Sequence, residues 1–258
     1  MKPVWTGAIG FGLVNIPVRL FSATQSSTID LDMLDKKDHS NIRFKRVNEK
    51  TGKEVPWNNI VKGFRTNDKY VVLDEKDFIA ASPEKSSVLA IEHFVEESAI
   101  DSMYFEMPYY LQPAKGGERA YFLLKMALEK TGKAGIATFV MRNREHLAII
   151  RPLENLLILQ LIRFAEEIRE PEELHITGQK KISANELKMA TTLINQLTEK
   201  FDIRKYKDTY SAALMKMIKA KAKGQKPKSV PLRVAYKRSD DLMSQLKESL
   251  KSKKRKTS

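Results

Sequence analysis

The sequence contains no cysteine among its 258 residues. This absence excludes disulfide bonds, zinc sites with thiolate ligands, iron–sulfur clusters and a cysteine nucleophile, and it favours a reducing compartment. No stretch approaches the about 20 consecutive apolar residues that a membrane helix requires. Near the N-terminus an apolar run is interrupted by Gly10, Gly12 and Pro17, which is typical of folded protein and not of a signal peptide. We therefore expect a soluble, cytoplasmic protein.

Motifs that carry catalysis are also scarce. The four histidines lie in four different segments, without the H-x-x-x-H or H-E-x-x-H spacing that places two of them on one metal ion. The sequence has no G-x-x-x-x-G-K-[ST] phosphate loop and no K-x-D-G ligase motif. Gly10 and Gly12 resemble part of a phosphate loop, but a strand pattern follows them where a helix would have to start. We expect no cofactor, no metal site and no catalytic residue.

One pattern leaves an enzyme open as an alternative. Glu172, followed by Glu186 and Lys188, fits the P-[DE]…[DE]-x-K arrangement of metal-dependent nucleases, in which the carboxylates bind Mg²⁺ and the lysine orients water. That arrangement places the second element on a strand. Ser183 and Glu186, however, also form the S-x-x-E capping box that starts a helix.

The positive charge is the most informative feature that is present. The formal net charge is +14, and residues 214–258 hold 15 Lys and Arg against 3 Asp and Glu. In the rest of the chain, residues 36–65 hold 9 basic and 3 acidic side chains, and residues 66–113 hold 3 basic and 10 acidic ones. A chain segregated in this way can present a basic face to a polyanion such as duplex DNA. A solvated surface without a partner and a general basic RNA-binding protein are the alternatives.

Hydrophobic periodicity predicts strands first and helices later. Residues 4–24 alternate with a phase shift, which indicates a strand, a bend and a second strand. The spacing in residues 116–133 predicts a helix that contains Leu123, Leu124 and Leu128 and ends at Gly132. Further strands are predicted at 87–97, 102–113 and 155–164, a hairpin at 139–152, and helices from Ser183 and at about 207–222. The fold class is therefore α+β. On the strand that follows Ser87, His93 shares a face with Leu89, Ile91 and Val95, which predicts a packed histidine.

A basic arm is predicted around the segment IRFKRV, residues 42–47. As a strand it places Ile42 and Phe44 on one side and Arg43 and Lys45 on the other, and a turn at residues 50–53 follows. Such an arm could contact a polyanion. An edge strand that its cations protect from pairing is the alternative.

A second cationic element is the tip of the hairpin at residues 139–152. Strand alternation places Arg142 and Arg144 on the same side, where two guanidinium groups suit phosphate oxygens. Ion pairing of these arginines with local glutamates is the alternative. The same alternation places Glu145 and His146 on opposite faces, so we do not expect them to share a substrate proton.

Four segments of the sequence are informative together. They are VWTGAIGFGLVNIPVRLFSAT at 4–24, EVPWNNIVKGF at 54–64, MYFEMPYYLQPAKGGERAYFLLKMALEKTGKAGIATFVMRNREHLAIIRP at 103–152 and DLMSQLKESL at 241–250. With these segments in this order, the chain resembles the prokaryotic Ku proteins, the DNA-end-binding factors of bacterial non-homologous end joining.

This resemblance implies a β-barrel core with a long hairpin arm that forms half of a dimeric ring around duplex DNA. The implied domains are a core at 1–182 with the arm at about 30–68, helices at 183–224 that brace the homodimer, and a flexible basic tail at 225–258. That tail would carry a short helix that docks a multidomain ATP-dependent DNA ligase. It is shorter than in the longer members of the family.

The resemblance also implies site residues. The implied DNA-binding residues are Arg19, Arg43, Lys45, Arg46, Lys50, Lys53, Lys62, Arg65, Lys133, Arg142, Arg144, Lys251, Lys253, Lys254, Arg255 and Lys256. The implied ligase contacts are Leu242, Met243, Leu246 and Leu250. The protein would act on the nucleoid, without chemistry of its own.

Overall fold

The computed structural model describes residues 1–81, 87–142, 144–171, 174–175, 182–225, 244–246 and 249. The chain forms two units, one of Met1–Ser26 with Leu31–Pro171 and one of Ser27–Asp30 with Glu172–Ser258.

In the first unit, seven strands form a barrel: β1 (Trp5–Phe11), β2 (Val14–Ser22), β5 (Val88–Glu96), β6 (Phe105–Pro113), β7 (Lys133–Met141), β8 (Arg144–Leu153) and β9 (Leu156–Ile162). The same unit contains a two-stranded sheet of β3 (Lys62–Arg65) and β4 (Tyr70–Leu73), and the helices α1 (Glu75–Ala81) and α2 (Glu118–Thr131). The second unit contains the helices α3 (Ala184–Leu197) and α4 (Thr209–Ala222). The α+β prediction is confirmed.

The barrel is closed, with the strand order β1-β2-β6-β9-β8-β7-β5 and β5 returning to β1. Neighbouring strands are antiparallel except β1 and β5, which are parallel and pair Ala8 with Val88. At this seam the Ala8 N–H donates to the Ser87 carbonyl at 2.9 Å. A Cβ on Gly7 would lie 2.1 Å from that carbonyl oxygen, so a side chain at position 7 would force the two backbones apart. Glycine therefore permits the closing contact.

The first hairpin has the predicted strand, bend and strand. Ile9 pairs with Ile16 across β1 and β2, and both side chains are fully buried. Gly12 has a φ of 58° in the two-residue turn, and Leu13 beside it is fully exposed. The glycine thus serves a tight turn between strands, and the phosphate-loop alternative is wrong because no helix follows it.

The core fills the barrel with aliphatic side chains from alternating strand positions. Its fully buried members include Ile9, Ile16, Val18, Leu20, Leu89, Leu111, Ile150, Leu157 and Leu159. Helix α2 packs against β2, β7 and β8 and buries Tyr121, Leu124 and Leu128. Its C-cap is Gly132 at a φ of 66°, as predicted. Leu123, which the helical spacing grouped with Leu124 and Leu128, is 67% exposed, whereas Tyr121 is buried in the core.

The Tyr121 hydroxyl ties α2 to the barrel wall. It donates to the Leu111 carbonyl of β6 at 2.6 Å and accepts from the Leu157 N–H of β9 at 2.6 Å. Leu111 and Leu157 face each other in the β6–β9 ladder, so the hydroxyl satisfies both buried backbone groups at the same pair.

His93 is exposed, and the prediction of a packed histidine is wrong. A register shift between Ile91 and His93 in the β5–β7 pairing interrupts the strict alternation of β5. Because side chains alternate with a period of two, a shift of one residue moves the histidine to the other face.

The helices of the second unit begin at side-chain caps. Ser183 Oγ accepts from the Glu186 N–H at 3.2 Å, and the Glu186 carboxylate accepts from the Ser183 N–H at 2.7 Å, which confirms the capping box. Asp208 caps α4 by accepting from the Ser211 N–H at 3.0 Å. Within the residues described, no helix is long and apolar enough to cross a bilayer.

We expect the Tyr121→Phe variant to be less stable than the wild type by about 1–3 kcal/mol, because the substitution leaves a buried carbonyl and a buried N–H without a partner. Urea unfolding followed by circular dichroism measures this loss. Tyr110→Phe is the matched control, because the Tyr110 hydroxyl on β6 has no hydrogen-bond partner among the described residues. Equal stability of Tyr121→Phe and the control would contradict the assignment.

The same hydroxyl predicts a dependence on pH. Burial raises the pKa of Tyr121 above its ordinary value, although the hydrogen bond from the Leu157 N–H partly opposes the shift. A group whose pKa is raised on folding stabilises the folded state below its unfolded pKa, and this stabilisation is lost as the pH rises through the folded pKa. The wild type should therefore lose stability above about pH 10 more steeply than Tyr121→Phe does.

Candidate nucleic-acid interface

The arm, defined here as residues 31–81, leaves the barrel after β2 and returns before β5. Because β2 and β5 both pair with β1, they flank one strand and lie roughly 10 Å apart. No residue of the arm is buried, and only Asp35, Val55 and Leu73 are half-buried. The arm is therefore an insertion between two strands of the barrel wall and has no core of its own.

Local backbone contacts give the arm its shape. The Val55 N–H donates to the Arg46 carbonyl at 2.8 Å, and the Asn48 N–H donates to the Lys53 carbonyl at 2.9 Å. Gly52, at a φ of 65°, completes the predicted turn. The strand predicted at 42–47 is wrong, because the arm here has only isolated bridges, Leu34 with Asn41 and Val47 with Glu54. A strand needs a partner along its whole length, and bridges at its two ends do not supply one.

Every cation predicted for the arm is exposed. These residues are Arg43, Lys45, Arg46, Lys50, Lys53, Lys62 and Arg65. Lys45 Nζ lies 2.7 Å from the Glu54 carboxylate, in an ion pair whose side chains are 71% and 57% exposed. An ion pair this exposed to solvent contributes little stability. Its cation can exchange one carboxylate partner for a phosphate.

Two other cations of the arm lie over aromatic rings. Arg46 Cζ is 4.5 Å from the centroid of the Trp57 ring. Lys62 Nζ is 4.6 Å from the centroid of the Phe78 ring. A cation over a ring face is held in place while its outward N–H groups remain available to an anion.

At the hairpin tip, Arg142 and Arg144 do not lie on the same strand. Met141 pairs with Arg144, so Arg142 lies in the connecting turn, and its φ is 54°. Strand alternation therefore does not relate Arg142 to Arg144, and that argument for a common side is wrong. Both residues are exposed, and neither forms an ion pair within the part of the chain that the structure describes. The alternative of pairing with local glutamates thus finds no support among these residues.

Glu145 and His146 do not form an acid–base pair. The His146 ring is half-buried, and its centroid lies 5.7 Å from that of Phe139. Glu145 is exposed. The histidine packs on the barrel, as expected for adjacent strand residues that face opposite ways.

Two of the implied DNA-binding residues, Arg19 and Lys133, lie on the barrel itself. Arg19 is exposed on β2, opposite Thr6 of β1 and Gln112 of β6. Lys133, at the start of β7, has its Nζ 3.8 Å from the Glu96 carboxylate.

Most of the residues assigned to the tail lie outside the described residues. These are Lys251, Lys253, Lys254, Arg255 and Lys256 of the basic run, and Leu242, Met243 and Leu250 of the docking helix. Leu246 is described: it is helical and half-buried.

The nuclease pattern is not assembled in the described residues. Glu186 lies on helix α3 and not on a strand, and hydrogen bonds from the Ser183 side chain and backbone hold the pKa of its carboxyl below the usual value. Lys188 is exposed on the same helix, and Glu172 lies outside the described residues. Among the residues described, no cluster of three or more histidine and acidic side chains could hold a metal ion.

These observations define a class: an α+β protein on a closed seven-stranded barrel, with an exposed cationic arm inserted between two strands that flank a third. The family model described as the Ku70/Ku80 beta-barrel domain matches residues 10–189. A non-homologous end joining protein Ku from Coxiella burnetii is 38% identical over 98% of this chain and 96% of its own length. Proteins of the same name from Opitutus terrae and Archaeoglobus fulgidus are 44% and 37% identical, over 86% and 87% of this chain and 80% and 90% of their own lengths. The chain belongs to the Ku family.

We expect the double charge reversal Arg142→Glu/Arg144→Glu to leave the thermal unfolding midpoint within about 2 °C of the wild type, because neither arginine contributes to the core. Differential scanning calorimetry measures the midpoint. Binding to duplex DNA should weaken at the same time. A midpoint that falls together with affinity would show that the tip arginines are structural.

Proposed function

We propose that the chain binds the ends of double-stranded DNA as a homodimer whose two barrels and arms close a ring. In this proposal the ring holds the broken end for an ATP-dependent DNA ligase in non-homologous end joining. The cations of the arm, with Arg19, Lys133, Arg142 and Arg144, line the hole. The observation that carries the proposal is an arm of 51 residues with defined local structure and no buried residue.

The dimer is supported by the apolar side chains of the arm. Exposed ones include Leu31, Met33, Phe44, Val61, Phe64, Tyr70, Val72 and Ile79, at 57–80% exposure. Ordering a segment costs about 1–2 kcal/mol per residue, and a segment without a core does not offset that cost alone. Apolar surface of this extent is typical of a protein interface. A second copy of the chain would cover it.

Binding needs no chemistry in this proposal. Lysine and arginine side chains that neutralise phosphates give affinity without sequence preference, because phosphates carry no base code. Preference for ends would follow from topology, since a closed ring loads only where a duplex stops.

The ligase contact is proposed for the segment 241–250. Leu242, Met243, Leu246 and Leu250 recur at helical spacing and would form one apolar face. A helix this short is marginal alone and would form on docking.

Two alternative functions predict different results in vitro. A Mg²⁺-dependent nuclease that uses Glu172, Glu186 and Lys188 would cleave linear DNA in the presence of Mg²⁺, whereas the end-binding ring leaves it intact. A general RNA-binding protein would bind structured RNA at least as tightly as blunt duplex DNA. The capping role of Glu186 disfavours the nuclease.

For a ring that neutralises about eight phosphates, the logarithm of the binding constant should fall with the logarithm of salt concentration at a slope near −7. Fluorescence anisotropy with a blunt duplex at several salt concentrations measures the slope. The Arg142→Glu/Arg144→Glu variant should give a shallower slope than the wild type. A wild-type slope shallower than about −2 would argue that the arm does not follow the DNA backbone.

Deleting residues 240–258 should leave dimer assembly intact and abolish stimulation of the ligase, because the proposed docking helix is removed. Light scattering reports the assembly, and an end-ligation assay with the partner ligase reports stimulation. Equal stimulation by the truncated and full-length proteins would contradict a docking role for this segment.

A further inference from the structure

The indole of Trp57 is an exposed aromatic ring on the cationic arm. Its exposed fraction is 72%, although tryptophan is among the side chains that gain most from burial. The other tryptophan, Trp5, is half-buried, and its ring packs edge-on against Phe139 with centroids 5.6 Å apart. Core packing therefore accounts for Trp5 and not for Trp57.

The backbone fixes the position of the Trp57 ring. Pro56 precedes it at a φ of −59°, and a 3-10 turn follows in which the Asn59 N–H donates to the Pro56 carbonyl at 3.0 Å. In the preceding segment of the arm, the Arg46 carbonyl accepts from the Val55 N–H at 2.8 Å. These bonds hold Arg46 and Trp57 beside each other, with the guanidinium 4.5 Å from the ring centroid.

The Arg46 guanidinium lies over one face of the indole, and the exposure of the ring shows that much of it still faces solvent. A flat, preorganised ring of this kind is a stacking platform, and stacking on it costs little further ordering. The stacking partner must be flat and apolar on its faces. Both an unpaired nucleobase and an aromatic side chain of a protein meet that requirement.

The charge around the ring favours the nucleobase. Residues 43–65 hold seven basic and two acidic side chains, so a partner seated there gains from carrying negative charge. Single-stranded DNA combines a flat base with a phosphate at every step. An aromatic side chain of a protein supplies the flat face without the phosphate.

We propose that Trp57 stacks on an unpaired base of a single-stranded extension at the DNA end, with Arg46 as its positioning residue. This inference rests on the proposed function and names the kind of end that the arm recognises. The phosphates of the extension lie against the neighbouring cations. Ends with an extension are therefore bound more tightly than blunt ends.

The test uses duplexes of one sequence with one end closed by a hairpin. The open end is blunt, carries a short oligo-dT extension, or carries an extension of equal length made of abasic units, which keeps the phosphates and removes the bases. Fluorescence anisotropy gives the affinity of the wild type and of the variants Trp57→Ala, Trp57→Phe and Phe78→Ala. Phe78→Ala is the matched control, because it removes the other aromatic ring of the arm that lies under a cation.

We expect the wild type to bind the dT extension about tenfold more tightly than the abasic one, as stacking of a base on an aromatic ring predicts. Trp57→Ala should bring this ratio close to one while binding the blunt duplex within about twofold of the wild type. Trp57→Phe should retain part of the preference, and Phe78→Ala should retain all of it. Trp57→Ala should also abolish quenching of tryptophan emission by the dT extension.

A wild-type ratio of one, with normal binding of the blunt duplex, would overturn the stacking proposal and leave the proposed function standing. A full ratio in Trp57→Ala would overturn it as well. So would equal losses on all three ends together with dissociation of the dimer, because the indole would then serve the contact between copies. Failure of the wild type to bind any of the duplexes would remove the proposed function itself.

Discussion

Closure of the barrel through the parallel pairing of β1 and β5 is the constraint on which the other features depend. A closed sheet leaves no edge strand, so all seven strands have partners on both sides. Since β2 and β5 both flank β1, the residues between them must leave the wall and return almost to the same place. The arm is therefore a consequence of the seam, and the close contact of Gly7 with the Ser87 carbonyl oxygen permits that seam. Tyr121 fixes the opposite side of the wall by satisfying one backbone group of β6 and one of β9.

The molecule separates a buried apolar interior from an exposed cationic arm. The interior is apolar, and in the described chain the one buried cation, Lys125, is paired with Glu129 on the same helix. The arm has the reverse character: its cations are exposed, and its order comes from short-range hydrogen bonds, one exposed ion pair and two rings under cations. A binding partner can therefore reshape the arm without a cost to the core. This division suits the proposed binding of a large polyanion by the arm.

Local patterns in the sequence predicted the local structure well. The phase shift in residues 4–24 gave the first hairpin, Gly132 gave the end of α2, and Ser183 with Glu186 gave the start of α3. The wrong predictions have two kinds of physical cause. Some depend on contacts between residues that are distant in the sequence, and others depend on a single backbone angle. His93 is exposed because of a register shift, and the seam between β1 and β5 depends on pairing across about 80 residues. The composition of the sequence predicted the cationic arm. The Arg46–Trp57 contact could not be predicted in this way, because it forms only where a turn in the folded chain brings two segments of the arm together.

The proposed ring must exclude DNA that has no end. Neither the charge of the protein nor its family membership imposes this requirement. Competition between a linear duplex and a covalently closed circle of the same length and sequence, at fixed salt concentration, measures this directly. The account predicts that the linear form binds at least about a hundredfold more tightly, since non-specific attraction to phosphates is all that a circle can offer. Equal affinity for the two forms would contradict a closed hole and reduce the protein to a basic surface.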